Sequence, residues 1–326
     1  MADPKIAIVG SGNLSTKRIY PNVAAAGGQI VGVCDLDLGK AERNARRFGG
    51  RAFTDLNVML DALHPDGVII CIGPEAHARI ATQVLRLGYP VYTEKPPAAS
   101  AADALAVARA AEETGLLCTT AFKKRYSTGN NRAVEWLERF PIEDRYMISI
   151  DYCSAQYKND SPRTSFLLDF CIHIIDLVGY LFGDVARVFT FTKGQDAYAV
   201  SMVFTSGAVG TLSLNCGRSF LIPTEEIEIS VRGGNFMTLH NSSSWRITED
   251  GKPAEWREPP TFTSSGDSGN DTGHLAELVD YVDALRDGRK TTRSNIYESY
   301  KSLVLYEAIK LSAEETRSVD VVYEAL

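Results

Sequence analysis

The sequence predicts an α/β protein, with a doubly wound parallel sheet in an N-terminal domain and a second domain built on an antiparallel or mixed sheet. Over about the first 120 residues, short apolar runs alternate with amphipathic stretches, as they do where helices cover both faces of a parallel sheet. Beyond this point several strand-like runs follow closely, separated by short Gly, Ser or Pro turns. A chain of 326 residues is also too long for one ordinary core. We therefore expect two domains, 1–121 and 122–326.

The first domain can be assigned element by element. Strands are predicted at 5–9, 29–34, 67–71 and 90–93, each of them an apolar run. One helix follows the first strand, a second covers 38–48, and two more run through EAHARIATQVLRLG and SAADALAVARAAEETG. Pro21 should break or kink the first helix, because its ring fixes φ and removes a backbone donor.

The second domain has a different order of elements. A helix near 129–139 leads to the strand YMISIDY, and another helix covers roughly 165–182. Then come the strand-like runs RVFTFT, AYAVSMVF, GAVGTLSLN, EEIEISVRG and FMTLH. A Gly/Ser/Asp-rich loop at 261–273 precedes two closing helices near 274–287 and 296–315. This order is typical of a sheet with helices on one face.

Composition and charge narrow the class of protein. Apolar residues make up 44% and charged residues 23%, as in soluble globular proteins. The net charge of −7 argues against nucleic acid and anionic membranes as partners, and no apolar run approaches the length of a membrane span. The start MADPKIAIVG leads directly into a strand without a signal-peptide core. Six cysteines lie far apart without a CxxC pair, which favours buried thiols and a cytoplasmic location.

A glycine-rich turn follows the first strand, in the segment IAIVGSGNLS. Gly10 permits a tight turn, and Gly12 lets the backbone approach a pyrophosphate, whose charge a helix N-terminus favours. Ser15 stands where the dinucleotide-binding pattern has its third glycine. The motif alone therefore does not decide between a dinucleotide site and a plain glycine turn.

Asp35 ends the second strand, where an acidic side chain can bind both ribose hydroxyls of NAD. A 2′-phosphate would be repelled there, and Asp37 adds a second carboxylate nearby, so NAD is favoured over NADP. The alternative is that Asp35 is a turn or helix-capping residue before LDLGKAERNA, a role that Asp37 could share.

The segment VYTEKPP (91–97) ends an apolar run with a carboxylate, an ammonium and two prolines. The two prolines fix φ twice and remove two backbone donors, so no helix can simply continue from the strand. Lys95 is therefore held on a rigid elbow at a strand end, where loops of α/β sheets usually carry chemistry. The alternative is a surface charge pair of Glu94 and Lys95 on a tight turn.

Four segments in combination resemble the Gfo/Idh/MocA oxidoreductases, the glucose-fructose oxidoreductase and inositol dehydrogenase group. They are AIVGSGN, CIGPEAHARIA, TEKPPA and LLDFCIHIIDLVGYLFG. The segment LAELVDYVDALRDGR also looks like the family's late helix, and the resemblance covers nearly the whole chain. Ser15 and a shortened SPRTS segment depart from the family pattern.

This resemblance implies an N-terminal Rossmann domain, a C-terminal α/β domain with a large open, mostly antiparallel sheet, and substrate bound at the cleft between the domains, over the nicotinamide. Such sheets commonly pair, which implies a homodimer or homotetramer. The resemblance maps Lys95, Asp169 and His173 onto the family's catalytic residues. The cofactor contacts that we expect are Gly10, Gly12, Asn13, Leu14, Asp35, Ile72, Pro74, His77, Glu94 and Lys95.

The segment LLDFCIH puts Asp169 and His173 at i and i+4, on one face of the predicted helix. When a hydride leaves a carbinol carbon, a base must take the hydroxyl proton, and imidazole titrates near neutral pH. We therefore predict that His173 is the base, that Asp169 orients it or shares a proton relay, and that Lys95 stabilises the developing alkoxide. The alternative for His173 is a packed core histidine. A metal site that also used Asp176 and His77 is disfavoured, because hydride transfer needs no metal.

Other positions carry weaker signals. Lys123, in FKKRYS, could face the nicotinamide or the substrate, whereas Lys124 and Arg125 are expected to be solvated. Arg163 precedes the helix of His173 and is a substrate candidate, which would hint at a carboxylate or phosphate. His77 could line the cofactor edge or pack at a helix start.

Three functions remain open from the sequence. The first is an NAD-dependent dehydrogenase of a polyol, inositol, sugar or nucleotide sugar. The second is a reductase of a ketosugar or an imine in secondary metabolism. The third is a dinucleotide-binding regulator without turnover, which the retention of Lys95, Asp169 and His173 argues against.

Overall fold

The computed structural model describes residues 2–155, 165–261 and 271–326, which form two compact units. The first unit takes the described residues of Met1–Phe122 and His274–Tyr300, together with Leu326. The second takes those of Lys123–Gly273 and Lys301–Ala325. The sequence pattern assigned everything after residue 121 to the second domain, whereas the structure groups 274–300 with the first unit.

The first unit contains a six-stranded sheet in which each neighbouring pair of strands is parallel. The strands are β1 Lys5–Val9, β2 Gln29–Cys34, β3 Arg51–Phe53, β4 Gly67–Ile70, β5 Val91–Thr93 and β6 Cys118–Thr120. Their order in the sheet is β3-β2-β1-β4-β5-β6, so the chain winds away from β1 in both directions. Ligands of such sheets bind outside the carboxyl ends of the strands, where the order reverses. The predicted doubly wound parallel sheet is confirmed.

The helices, in chain order, are α1 Tyr20–Ala25, α2 Leu38–Phe48, α3 Leu56–Leu63, α4 Pro74–Arg86, α5 Ala101–Thr114, α6 Thr128–Leu137, α7 Ile172–Phe182, α8 His274–Asp287 and α9 Ile296–Glu315. Asp37, Asp55 and Ser100 each accept a backbone N–H bond at the start of α2, α3 and α5, which fixes where these helices begin. In the described part of the chain, every helix is too short or too polar to cross a membrane.

Both faces of the parallel sheet are buried. Alternate residues of β1 point to opposite sides: Ile6 and Ile8 join a core with α1 and α8, whereas Ala7 and Val9 join a core with α4 and α5. This is why the strands of this unit read as continuous apolar runs instead of alternating ones.

Helix α8 completes the core of the first unit. Tyr281 is fully buried, its hydroxyl donates to the carbonyl oxygen of Pro90 at 3.2 Å, and its ring centroid lies 5.5 Å from that of Tyr92 on β5. Leu278 and Val282 are buried in the same core. These contacts explain why 274–300 belongs with the first unit although it follows the second in sequence.

The second unit contains a nine-stranded sheet in the order β14-β13-β12-β11-β7-β10-β9-β8-β15. Its strands are β7 Arg145–Cys153, β8 Val185–Lys193, β9 Ala197–Phe204, β10 Val209–Asn215, β11 Thr224–Val231, β12 Asn235–His240, β13 Ser244–Glu249, β14 Lys252–Arg257 and β15 Val319–Asp320. Strands β7 and β10 are parallel and the other pairs are antiparallel, which confirms the predicted mostly antiparallel sheet. The sequence pattern did not predict β13, β14 or β15.

Candidate active site

The glycine turn after β1 leaves its backbone open. Gly10 adopts φ +104°, and its N–H donates to the carbonyl oxygen of Cys34 at 2.8 Å, which holds the turn against the end of β2. A Cβ on Gly12 would meet no atom within 4 Å, and Gly12, Asn13 and Leu14 are all exposed. The turn therefore presents open backbone to solvent at the carboxyl edge of the sheet.

The helix that follows this turn is irregular. Residues Ser15–Ile19 form a π-type segment, and α1 starts at Tyr20 with Pro21 in its first turn, so the predicted interruption at Pro21 is confirmed. Ser15 is fully buried, and its hydroxyl donates to the carbonyl oxygen of Gly12 at 3.1 Å. A serine in place of the third glycine is thus packed into the turn and compatible with it.

Asp35 lies beside the glycine turn. Its Oδ2 accepts the N–H of Ser11 at 2.7 Å, and its Oδ1 accepts the N–H of Asp37 at 2.9 Å. The cap of α2 is Asp37, which accepts the N–H of Lys40 at 3.1 Å. The capping role belongs to Asp37, and Asp35 is a half-buried carboxylate held at the edge of the turn.

These residues fit a dinucleotide. The open backbone at Gly12 and the helical turns after it suit a pyrophosphate, and the carboxylate of Asp35 suits ribose hydroxyls. A 2′-phosphate would meet the negative charges of Asp35 and Asp37, so the pair favours NAD.

His77 joins two loops of this edge. Its Nε2 accepts the N–H of Ile72 at 3.1 Å, and its Nδ1 donates to the carbonyl oxygen of Pro96 at 2.7 Å. Only the neutral imidazole with its proton on Nδ1 satisfies both bonds. The side chain is 0% exposed, so the ring is enclosed between the two loops, and contact between His77 and the cofactor stays a prediction. His77 ties the loop after β4 to the elbow that carries Lys95.

A fall in pH should weaken the hydrogen bonds of His77. Burial, helped by the charge of Lys95, lowers the pKa of His77 from its ordinary 6.5 to about 4. Below pH 6.5 the unfolded chain therefore binds the proton more readily than the fold does, and stability falls as the pH drops toward 4. This one group should remove about 2 kcal/mol of folding free energy between pH 7 and pH 5.

Urea unfolding of the wild type and of His77→Gln at pH 7 and pH 5 measures this contribution. Glutamine keeps an amide at the site but does not titrate, so the variant should lose less stability between the two pH values than the wild type. Equal losses in the two proteins would show that His77 is protonated with little penalty in the fold.

The elbow after β5 is bound to its neighbours through backbone groups. The N–H of Glu94 donates to the carbonyl oxygen of Ile70 at 2.9 Å, and the N–H of Lys95 donates to Glu94 Oε2 at 3.1 Å. Glu94 is buried, Lys95 is half-buried, and the Lys95–Pro96 peptide bond is cis. Lys95 is therefore carried by a fixed backbone and not by a solvated surface turn.

The remaining cofactor candidates of the first unit lie at the same edge. The side chain of Ile72 is beside Gly10, since a Cβ on Gly10 would come within 3.0 Å of Ile72 Cγ2. Pro74 is buried as the first residue of α4. The structure thus brings the loops after β1, β4 and β5 together, and the candidates in this unit lie on these loops, at the start of α4 and just after β2.

In the second unit the predicted helix around Asp169 and His173 is not continuous. Phe166–Phe170 forms a π-type segment, and α7 begins at Ile172 after Cys171. The face that Asp169 and His173 are predicted to share therefore begins in a π-type segment, whose turn is wider than an α turn. Asp169 is half-buried, and His173 is 8% exposed in the first turn of α7.

The basic segment after β6 also differs from the expectation. Lys123 is half-buried at the start of a 3₁₀ turn, Lys123–Tyr126, but Lys124 and Arg125 are only 4% and 3% exposed. Lys124 pairs with Glu225, and Arg125 pairs with Asp176. Both cations were expected to be solvated, and that expectation is wrong, because each has a buried carboxylate partner.

Two further points concern the predicted site residues. Arg163 lies outside the described residues. Among the residues that the structure describes, no group of three or more His, Cys, Asp or Glu side chains is placed to hold a metal ion.

Two protein-family models together match most of the chain. A model described as "Oxidoreductase family, NAD-binding Rossmann fold" matches residues 4–122. A second model, "Oxidoreductase family, C-terminal alpha/beta domain", matches residues 142–321. Both are models of Gfo/Idh/MocA proteins.

Individual relatives match this chain over most of their lengths. D-apiose dehydrogenase of Paraburkholderia graminis is 25% identical, over 97% of this chain and 89% of its own. Inositol 2-dehydrogenase of Salmonella typhimurium is 23% identical, over 98% of this chain and 96% of its own. Among solved structures, levoglucosan dehydrogenase in complex with NADH and L-sorbose has a TM-score of 0.85 at 17% identity, covering 99% of this chain and 100% of that one. That structural likeness shows a shared fold.

Proposed function

The chain belongs to the Gfo/Idh/MocA oxidoreductase family with an NAD-binding Rossmann domain, and on this basis we propose that it oxidises a secondary carbinol of a monosaccharide or cyclitol. The observation that carries the proposal is the Lys95 elbow. A half-buried amine stands on a backbone that Ile70, Glu94 and His77 hold in place, at the sheet edge that also carries the open glycine turn and Asp35. A surface turn would need no such support.

The residues of the proposed site differ in their roles. When NAD is bound, it supplies the acceptor for the hydride of the carbinol carbon. His173 takes the hydroxyl proton, because a neutral imidazole is a suitable base near neutral pH. Lys95 donates a hydrogen bond to the same oxygen and stabilises its developing negative charge. Asp169 orients His173 or passes its proton on, and Lys123 contacts the substrate.

The substrate class rests on the relatives. Two of them, which the chain matches over nearly its whole length, are named for D-apiose and inositol, both polyhydroxylated compounds without a charged group. We therefore propose a neutral polyol ring or aldose in preference to a charged sugar. Phosphorylated sugars and nucleotide sugars serve as the comparison compounds in the test.

The test is the appearance of NADH absorbance when the purified protein is incubated with NAD and a panel of aldoses, inositols, sugar phosphates and nucleotide sugars. We expect turnover with at least one neutral compound and weaker turnover with NADP. Tight NAD binding without turnover on any compound, or on a matching panel of ketones with NADH, would contradict the proposal and favour a regulatory role.

We also propose that the open face of the nine-stranded sheet pairs with a second copy of the chain. Met147, Val209 and Val203 stand side by side across β7, β10 and β9, and each is between 37% and 44% exposed. Phe236, 40% exposed on β12, continues this row through Ser230 on β11. An apolar row of this length is typical of an interaction surface. Light scattering that gives the mass of one chain, 35.7 kDa, would contradict this.

We propose a cytoplasmic location for the protein. All six cysteines are buried free thiols, as expected in a reducing compartment. Thiol labelling of the protein from its own cells should find six reactive groups after denaturation without reductant, and a disulfide would contradict this location.

A further inference from the structure

We propose that Arg125 and Asp176 are positioning residues: their buried ion pair fixes the orientation of helix α7 and thereby aims His173. This inference rests on the proposed role of His173 and gives Arg125 and Asp176 a role in the same reaction. The evidence comes entirely from within the second unit.

The pair is bidentate and excluded from water. Arg125 Nε donates to Asp176 Oδ2 at 2.9 Å and Nη2 donates to Oδ1 at 2.7 Å, with side chains that are 3% and 0% exposed. Two parallel bonds between planar groups define an angle as well as a distance. Ser302, on α9, donates to Asp176 Oδ1 at 2.9 Å, so α7 is bound on this side by two elements.

Arg125 also touches α7 at a second point. Its guanidinium carbon lies 4.8 Å from the ring centroid of Tyr180. Asp176 and Tyr180 follow His173 by three and seven residues, so all three stand on one face of the helix. The arginine therefore holds the face of α7 that carries the proposed base, at two points along its length.

The start of α7 is irregular. The helix follows the π-type segment Phe166–Phe170 directly, and its N-cap residue Cys171 makes no capping hydrogen bond with its side chain. His173 stands in this first turn. Because a base that is misplaced by about 1 Å can cost about 10²-fold in rate, an anchor further along the same face has a direct effect on turnover.

Stability alone is a poor explanation for the pair. Buried ion pairs often contribute no more to folding than apolar side chains of the same volume would, because both charges lose their hydration. The same 3₁₀ turn offers a matched comparison in Lys124 and Glu225, whose side chains are 5% and 8% exposed. Glu225 Oε1 accepts the hydroxyl of Ser242 at 2.8 Å, so this second pair binds the turn to β11 and to the loop after β12, and not to α7.

The experiment compares Arg125→Met and Asp176→Asn with Glu225→Gln, each at a temperature where circular dichroism shows the variant to be folded. We expect kcat to fall by about 30- to 100-fold in the first two, with the Kd for NADH within about twofold of the wild type. Glu225→Gln should lower the melting temperature to a similar degree and keep kcat within about threefold. Equal losses of kcat in all three variants would contradict the inference and show that the ion pair of Arg125 and Asp176 has only a structural role.

A second readout does not depend on turnover. The chain has five histidines, so ¹³C-labelled histidine gives few ring signals, and His173→Asn assigns the one of interest. Arg125→Met should broaden or split the His173 signal, whereas Glu225→Gln should leave it single and sharp. A single sharp signal in Arg125→Met would overturn the inference. If no compound is turned over by the wild type but Arg125→Met still splits the signal, the proposed function fails and the positioning role stands.

Discussion

Replacing Lys95 by methionine is expected to lower kcat by about 10²- to 10³-fold while the affinity for NADH changes by less than about threefold. Methionine keeps the length and apolar part of the side chain but removes the ammonium. The variant thus loses the donor that we propose for the alkoxide and keeps the backbone of the elbow, which Ile70 and His77 hold.

Steady-state kinetics with the best substrate of the panel, together with NADH fluorescence titration, measure the two effects separately. Lys290→Met is the matched control, since Lys290 is an exposed lysine of the same unit. It should behave as the wild type does. Near-normal turnover in Lys95→Met would remove the ammonium from the mechanism.

Replacing Gly10 by alanine is expected to destabilise the first unit by roughly 3 kcal/mol or more, an effect large enough to lower the yield of folded protein. The residue adopts φ +104°, a conformation that side chains with a Cβ rarely take. A Cβ there would also lie 2.0 Å from the carbonyl oxygen of Cys71, a backbone atom that cannot move aside cheaply. Strain and steric clash act together at this position.

Gly12→Ala separates folding from cofactor binding. A Cβ at Gly12 meets no protein atom within 4 Å, so chemical denaturation should show stability within about 1 kcal/mol of the wild type. The added methyl group stands in the space proposed for the pyrophosphate, so the Kd for NAD should rise by about tenfold or more. Unchanged NAD affinity in Gly12→Ala would mean that the phosphates bind elsewhere.

The local parts of the fold could be predicted from the sequence. Strand β2 and helix α2 begin and end where the apolar pattern and the capping aspartate put them. The hairpin β13–β14 was missed because β14 at the sheet edge is mostly exposed and contains Pro253, so it lacks the alternation of a half-buried strand. Helix α8 was predicted correctly as a helix, but its place in the first unit depends on contacts such as Tyr281 with Pro90, which no local pattern contains.

In the candidate site too, the features that depend on local sequence could be predicted, and those that depend on distant contacts could not. Gly10, Asp35 and Lys95 could be found because each is a short motif at a strand end, where the chemistry depends on neighbours in sequence. The burial of Lys124 and Arg125 could not be predicted from the sequence, since their partners Glu225 and Asp176 lie 101 and 51 residues away. The π-type segment before α7 also left no signal, because the residues of Phe166–Phe170 suit a regular helix equally well.

The central proposal is that Lys95 and His173 act on the same substrate oxygen. A double-mutant cycle with Lys95→Met, His173→Asn and the double variant tests it most directly. If both residues serve one proton transfer, either single change already removes most of their joint effect on the rate. The kcat/KM of the double variant should then lie within about tenfold of that of the less active single variant. A double variant that loses the full product of the two single effects would show that the residues act independently and would contradict the proposed site.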